Sequence, residues 1–273
     1  MASYLATGLD HPEGIAWDPE AYLVAGGEDG QMYRVNLDGS VEEYAHTGGF
    51  CLGIALDGDS NAYVCDMGRS EVVRVTPEGK VTSYCSACDG GPLRVPNFPV
   101  FDDTGRLWIS DSGAWNDSDG RIVAIEPDGR ATVASRLASN YTNGLAISPD
   151  GQWLYVAESA LPGVSRMRLE GSALGEPELV VMMHGTVPDG LAFDASGRLV
   201  IACYRPDAIL LWDGKALATL HDDPQAMTVA APTNIAFFGP DLSRLAVANL
   251  HGQFITEVDI GVAGAPLRRP RVG

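Results

Sequence analysis

The sequence predicts an all-β fold: a six-bladed β-propeller of four-stranded antiparallel blades, with the N-terminal strand completing the last blade. Three observations lead there. A short phrase returns six times at a near-constant period, short apolar runs follow each copy with tight-turn dipeptides between them, and no helix-length stretch carries a 3.6-residue apolar period. The copies are Pro12-Glu13-Gly14-Ile15-Ala16-Trp17, Cys51-Leu52-Gly53-Ile54-Ala55-Leu56, Pro96-Asn97-Phe98-Pro99-Val100-Phe101, Thr142-Asn143-Gly144-Leu145-Ala146-Ile147, Pro188-Asp189-Gly190-Leu191-Ala192-Phe193 and Pro232-Thr233-Asn234-Ile235-Ala236-Phe237. Their second positions are 39, 45, 46, 46 and 44 residues apart, a range that marks stacked or ring-closed repeats.

The fifth copy shows how each blade is built. Leu191 to Phe193 is a short apolar strand, and Asp194-Ala195-Ser196-Gly197 is a turn. Arg198 to Cys203 and Ala208 to Trp212 are the second and third strands, and Ala216 to Leu220, after Asp213-Gly214, is the fourth. The same turn chemistry recurs at Asp38-Gly39, Glu78-Gly79, Asp128-Gly129 and Asp150-Gly151, where glycine supplies the positive φ of a hairpin. Six such units close into a ring and hide most strand edges. The sixth copy reaches only a third strand, around Phe254 to Ile260, while Ser3 to Thr7 stands where a fourth strand is expected. The N-terminal strand therefore completes blade six. Residues 1–264 are expected to form one propeller domain, and residues 265–273 a mobile tail.

In such a ring the second-position residues face the central axis: Glu13, Leu52, Asn97, Asn143, Asp189 and Thr233. Four of them carry oxygen donors. An isolated Asn-Gly or Asp-Gly is ordinarily a turn, and an isolated Pro-Glu-Gly a solvated loop. Four oxygen donors at one structural position are different, because unpaired carboxylates brought together repel. Glu13, Asn97, Asn143 and Asp189 form the candidate metal site. An all-oxygen set with two formal charges suits a hard divalent ion, Ca²⁺ first, with Mg²⁺ and Mn²⁺ possible and Zn²⁺ less suited because it recruits His or Cys. The loops between second and third strands lie at the same face and should wall the pocket. They contribute Trp115 and Asn116 in blade three, Tyr204 in blade five and His251 in blade six.

Composition sets outer limits. A 273-residue chain with 45% hydrophobic residues can bury a large core, and a net charge of −18 argues against nucleic acid or an anionic membrane as partner. The N-terminus lacks the pattern of a signal peptide, and no apolar run reaches spanning length, so a cytoplasmic monomer acting on a small molecule is expected. Five cysteines do not complete a disulfide framework. The Cys85/Cys88 pair has no nearby second pair of ligands for zinc and reads as a plain loop.

The phrases Glu13-Gly14-Ile15-Ala16-Trp17-Asp18, Asn143-Gly144-Leu145-Ala146-Ile147-Ser148-Pro149-Asp150-Gly151 and Pro188-Asp189-Gly190-Leu191-Ala192-Phe193-Asp194, leading to Ala202-Cys203-Tyr204, give the chain its resemblance. It resembles the SMP-30/gluconolactonase/LRE family of six-bladed propellers, which includes sugar lactonases and regucalcin, with diisopropyl fluorophosphatase more distant. The resemblance covers nearly the whole chain. It implies that Glu13, Asn143 and Asp189 hold one divalent cation, with Asn97 as a further ligand or a substrate contact. The chain departs from the family where an Arg usually stands two residues before that Asn and an Asp follows it. Here those positions are Val95 and Phe98, with Arg94 one step further back. The departure weakens a case for gluconolactone and points to a less polar lactone or ester, with Phe98 as part of an apolar pocket. The expected reaction is metal-assisted hydrolysis, with Asp189 or His251 as base. Three alternatives stand beside it: a phosphotriesterase or fluorophosphatase, a non-catalytic calcium or small-molecule binder, and a strictosidine-synthase-like propeller without this metal chemistry.

Overall fold

The computed structural model describes residues 2–272; Met1, in the expected domain, and Gly273, in the expected tail, lie outside them. Six four-stranded antiparallel blades follow one another along the chain. The innermost strands are Ile15–Asp18, Cys51–Leu56, Pro96–Phe101, Thr142–Ile147, Val187–Phe193 and Pro232–Phe238, so every copy of the phrase begins or feeds the strand nearest the axis. Blade five runs on through Leu199–Arg205, Ala208–Trp212 and Leu217–Asp222, within two residues of the boundaries expected for its last three strands. The ring closes as expected: Ala2–Thr7 pairs antiparallel with Phe254–Val258 and supplies the outer strand of blade six. The Cys85/Cys88 segment is a small hairpin in which Ala87–Cys88 pairs with Gly91–Pro92, and all five cysteines are free. Among the described residues no helix is long and apolar enough to cross a membrane.

The strands read as almost continuous apolar runs because both faces of each blade are covered. Side chains alternate across a strand. In blade one Leu23 and Ala25 pack towards blade six, against Phe238 and Ile255, while Val24 packs towards blade two, against Val64 and Val73. In blade three Leu107 and Ile109 face blade two, and Trp108 faces blade four. One hydrophobic cluster therefore fills each of the six interfaces between neighbouring blades, the closing interface included.

The expected mobile tail is corrected. Residues 265–272 lie across the end of the channel away from the candidate ligands. Ala265 N donates to Phe193 O of blade five at 2.9 Å, and Arg268 donates to Ser148 O of blade four at 3.0 Å. Arg269 donates to Asp57 O and Ser60 Oγ of blade two, and pairs at 3.3 Å with the fully buried Asp18 of blade one. Val272 is buried between blades two and three. The physical reason is the supply of acceptors: the turns at this face leave carbonyls and aspartates that a run of arginines can bridge. Beneath the tail lies an apolar cavity of about 200 Å³ whose lining includes Trp17, Phe98, Phe193, Phe237 and Leu267.

Candidate metal centre

Three local devices turn the second-position side chains inward. In blades two to six the pairing of the innermost strand slips within the phrase, between Cys51 and Ile54, Pro96 and Pro99, Thr142 and Leu145, Pro188 and Leu191, and Pro232 and Ile235. The slip spans the second and third positions, and a bulge of this kind re-aims one side chain out of the strand's alternation. The third position is glycine in four blades for reasons of space. A methyl group on Gly14, Gly53, Gly144 or Gly190 would run into the carbonyl oxygen of the second-position residue in the next blade, at 2.7 Å for Gly53 and 2.5 Å for Gly190. None of the four adopts a left-handed φ, so these are close approaches between strands and not the turns that Asn-Gly or Asp-Gly ordinarily makes. Finally, a polar residue at the end of the second strand pins the segment entering the phrase. Asp66 Oδ1 accepts from Phe50 N, Asp111 Oδ1 from Val95 N at 2.7 Å, Glu158 Oε2 from Asn140 N, and Asn249 Oδ1 from Ala230 N at 2.8 Å. Asp111 is itself held by a buried ion pair to Arg121 at 2.7 Å.

The result is a polar floor at one end of the channel. Glu13, Asn97, Asn143 and Asp189 are 3%, 3%, 4% and 5% exposed and line one cavity. Asn97 Oδ1, Asn143 Oδ1 and Asp189 Oδ1 are buried without a hydrogen-bond partner among the described residues. The Asn143 amide has its orientation set by Ser159, whose Oγ accepts from Nδ2 at 3.2 Å and donates to Pro188 O at 2.6 Å, which leaves Oδ1 as the free atom. Glu13 is steadied from blade six: Asn234 Nδ2 donates to its Oε2 at 3.1 Å, and Thr233 Oγ1 to its carbonyl at 2.9 Å. Burial, reinforced by the charge of Asp189, pushes the Glu13 carboxyl well above its ordinary range. Burial likewise raises Asp189, to about 7, against the lowering effect of the Asn143 amide. Buried acceptors are almost always satisfied, and three left open together call for a positive partner. Among the described residues no group of three His, Cys, Asp or Glu could hold a metal ion. This floor instead combines two carboxylates with two carboxamides, a set that fits a hard cation and offers zinc neither imidazole nor thiolate.

The walls correct several expectations. The cavity encloses about 350 Å³. Trp115 and Tyr204 line it as expected, Trp115 packing at a tilt against Tyr141 with ring centroids 4.9 Å apart. Phe98 does not: one step beyond Asn97, its side chain goes the other way, into the apolar cavity at the tail end and against the core between blades three and four. Asn116 sits exposed on its loop and is not part of the cavity lining. Arg94 pairs with Asp119 of the blade-three loop. His251 lies in an adjoining groove at the rim, exposed, and both its ring nitrogens are engaged, by Tyr204 Oη at 2.9 Å and Arg205 Nη2 at 3.0 Å. An imidazole so engaged has no free lone pair, and the expectation that His251 serves as a base is withdrawn. The sequence reading missed Phe50, Tyr141 and Val187, which also line the cavity. Each immediately precedes a copy of the phrase, and that position was the available signal.

Fold and floor together define a six-bladed propeller with an oxygen-rich centre on its axis. The family model for the SMP-30/Gluconolactonase/LRE-like region matches residues 11–251, and the chain belongs to that family. Among curated relatives it is 26% identical over 170 residues to Protein STRICTOSIDINE SYNTHASE-LIKE 3 of Arabidopsis thaliana (56% of this chain, 43% of the relative). It is 28% identical over 162 residues to 6-deoxy-6-sulfogluconolactonase of Pseudomonas putida (54% and 51%). To the gluconolactonase of Zymomonas mobilis it is 25% identical over 194 residues (63% and 54%). The chain thus spans about half the length of the curated relatives it matches. Solved structures of similar fold include a gluconolactonase from Xanthomonas campestris (TM-score 0.81, 21% identity, 96% of this chain and 89% of that one) and a luciferin-regenerating enzyme (0.82, 18%, 99% and 99%). The calcium-binding protein regucalcin of Agrobacterium tumefaciens is a third (0.77, 20%, 99% and 98%). At these identities the likeness is one of fold.

Proposed function

We propose that this protein is a divalent-metal-dependent hydrolase that opens a lactone or a related ester of low polarity. The observation that carries the reading is the set of buried, unpartnered oxygens on Asn97, Asn143 and Asp189 beside the raised carboxyl of Glu13. Glu13, Asn97, Asn143 and Asp189 would hold the ion, and Ca²⁺ suits them best. Once bound, the cation supplies Lewis acidity towards a carbonyl oxygen. The rest falls to the chain. Asp189 orients the attacking water and takes its proton, so that water's oxygen joins the acyl carbon and the departing alkoxide ends protonated. Phe50, Leu52, Met67, Val187 and Leu250 exclude bulk water and favour an apolar substituent over a sugar. The family and the gluconolactonase-named relatives support the reaction class, and the absence of an Arg at Val95 supports the less polar substrate.

The test is acid release from a panel of aldonolactones, aliphatic γ- and δ-lactones, aryl esters and paraoxon, after EDTA and after adding back Ca²⁺, Mn²⁺ or Zn²⁺. Metal-restored turnover of aliphatic lactones is the expected result. Turnover of paraoxon alone would replace the reading with a phosphotriesterase, and metal binding without any hydrolysis would replace it with a binding protein.

A further inference from the structure

The cavity has two unlike sides. Blade two contributes Leu52 and Met67, with Phe50 just before it, and blade five, diametrically across a six-membered ring, contributes Tyr204 and Arg205. Tyr204 is half-buried and meets the His251 ring edge-on at 5.4 Å, with the Arg205 guanidinium 4.8 Å from its own ring centre.

The hydrogen bonds in this corner have a determined direction. A guanidinium only donates. Arg205 Nη2, 3.0 Å from His251 Nδ1, therefore requires that nitrogen to accept. The neutral imidazole then carries its proton on Nε2 and gives it to Tyr204 Oη at 2.9 Å. Tyr204 Oη, already accepting, keeps its own proton for another acceptor, and among the described residues no protein atom takes it. Arg205 is otherwise engaged by Tyr204 O at 2.9 Å and by the carboxylate of Asp207 at 3.1 Å, so its charge is compensated and the corner is built for a neutral acceptor.

We propose that Tyr204 is a specificity-determining hydrogen-bond donor, set by the positioning residues His251 and Arg205, that reads a hydroxyl oxygen on the substrate ring. The substrate class follows from the two sides: an amphipathic lactone with an alkyl substituent towards Leu52 and Met67 and a ring hydroxyl towards Tyr204. This rests on the hydrolase reading above and narrows its substrate.

The experiment compares kcat/KM for γ-octalactone, both enantiomers, and its 3-hydroxy derivative, all four stereoisomers, in the calcium-loaded protein. The wild type should prefer one hydroxylated stereoisomer over the unsubstituted lactone, and Tyr204→Phe should lower that preference roughly 3–10-fold, chiefly through KM. His251→Ala should lower it similarly. His251→Gln should restore it, because a glutamine amide both accepts from Arg205 and donates to Tyr204 as the neutral imidazole does, whereas a base would be lost equally in both variants. A preference untouched by Tyr204→Phe, or lost equally in His251→Gln and His251→Ala, overturns the proposal. If the wild type hydrolyses neither lactone, the hydrolase reading fails separately. The proposal is then decided by equilibrium binding of the same compounds, followed by tryptophan fluorescence: tighter binding of the hydroxylated one that Tyr204→Phe abolishes supports it, and equal or no binding overturns it. Nitrogen-15 NMR of the His251 ring must show the Nε2–H tautomer; a proton on Nδ1 refutes the arrangement.

Discussion

Gly144→Ala tests the architecture of the floor without touching a candidate ligand. A Cβ at this position meets the Asp189 carbonyl oxygen, with Gly190 Cα at 2.9 Å and Asp189 C at 3.0 Å. All three neighbours are backbone, so nothing flexible can swing aside. Gly144 does not have a left-handed φ, so alanine brings no conformational strain of its own and the whole effect comes from the contact. Forcing extra atoms into a packed interior costs about 1–3 kcal/mol, which for a chain of this length lowers Tm by roughly 2–10 °C. The displaced atom is the carbonyl of Asp189, whose side chain is one of the two charges on the floor. Shifting it by a few tenths of an ångström should weaken Ca²⁺ binding by roughly 10–100-fold, the scale seen when groups that orient ligands are altered. The control is Gly175→Ala, where the added methyl makes only ordinary contacts, the nearest at 3.4 Å, again without a left-handed φ. The assay is thermal denaturation of both variants in EDTA and across a calcium titration. Equal Tm values and equal calcium midpoints for the two variants would refute the account of why glycine stands at the third position.

Other outcomes follow from the same floor and from the tail. Asp189→Ala should abolish turnover in the panel assay, and a fully active variant would remove Asp189 from the reaction. In the metal-free protein the folded state keeps protons on Glu13 and Asp189 that the unfolded chain gives up near the ordinary values of 4.5 and 3.8. The Asp189 contribution to stability is therefore full below the unfolded value and lost as pH rises through about 7, and Glu13 acts in the same direction. Excess Ca²⁺ should cancel that loss and release protons on binding; a Tm–pH profile identical with and without calcium would contradict this. Arg269→Ala leaves the buried Asp18 without its cationic partner and should cost about 3 kcal/mol, with no change in calcium affinity. A Tm change under 1 °C would show that the tail does not clasp the ring.

The repeat made the fold legible, because six copies of one phrase average out the ambiguity of any single strand. The closing strand was legible for the same reason, as a missing fourth strand at one end and a spare one at the other. Side-chain direction was not. Phe98 was assigned to the pocket because it follows Asn97, yet a bulge that aims Asn97 at the axis sends its neighbour towards the opposite cavity. Asp66, Asp111 and Glu158 opened loops expected to wall the site, but their side chains hold the backbone that enters the phrase. His251 carried the residue type of a base. Its partners are set by Tyr204 and Arg205, 47 and 46 residues away, which no local pattern reports. The tail read as mobile because the partners of its arginines, Asp18, Asp57, Ser60 and Ser148, are scattered over three blades.

The floor is a place where the chain works against its own stability. Other buried carboxylates are answered by a cation, as Asp111 is by Arg121, Asp194 by Arg198 and Asp102 by Arg106, or by several hydrogen-bond donors, as Asp57 is by Asn61 and Tyr63, Glu158 by Asn140 and Ser165, and Asp223 by Thr228 and Val229. Among the described residues Glu13 and Asp189 face each other with no cation, Glu13 with the Asn234 amide alone and Asp189 with an unpartnered Oδ1, although asparagine at both positions would keep the shape and remove the repulsion. Retaining two carboxylates there is costly without a cation and useful with one, the kind of local conflict that marks a functional site. The same argument separates the readings of the fold. A propeller acting without metal has no use for this pair, whereas a calcium-dependent hydrolase needs their charge to bind the ion and an oxygen of Asp189 to handle a proton. Relatives named for strictosidine synthase and for gluconolactonase match this chain at similar identity, 26% and 25%, so overall likeness cannot decide between them. The two unanswered carboxylates favour a propeller that binds a cation over one that acts without metal.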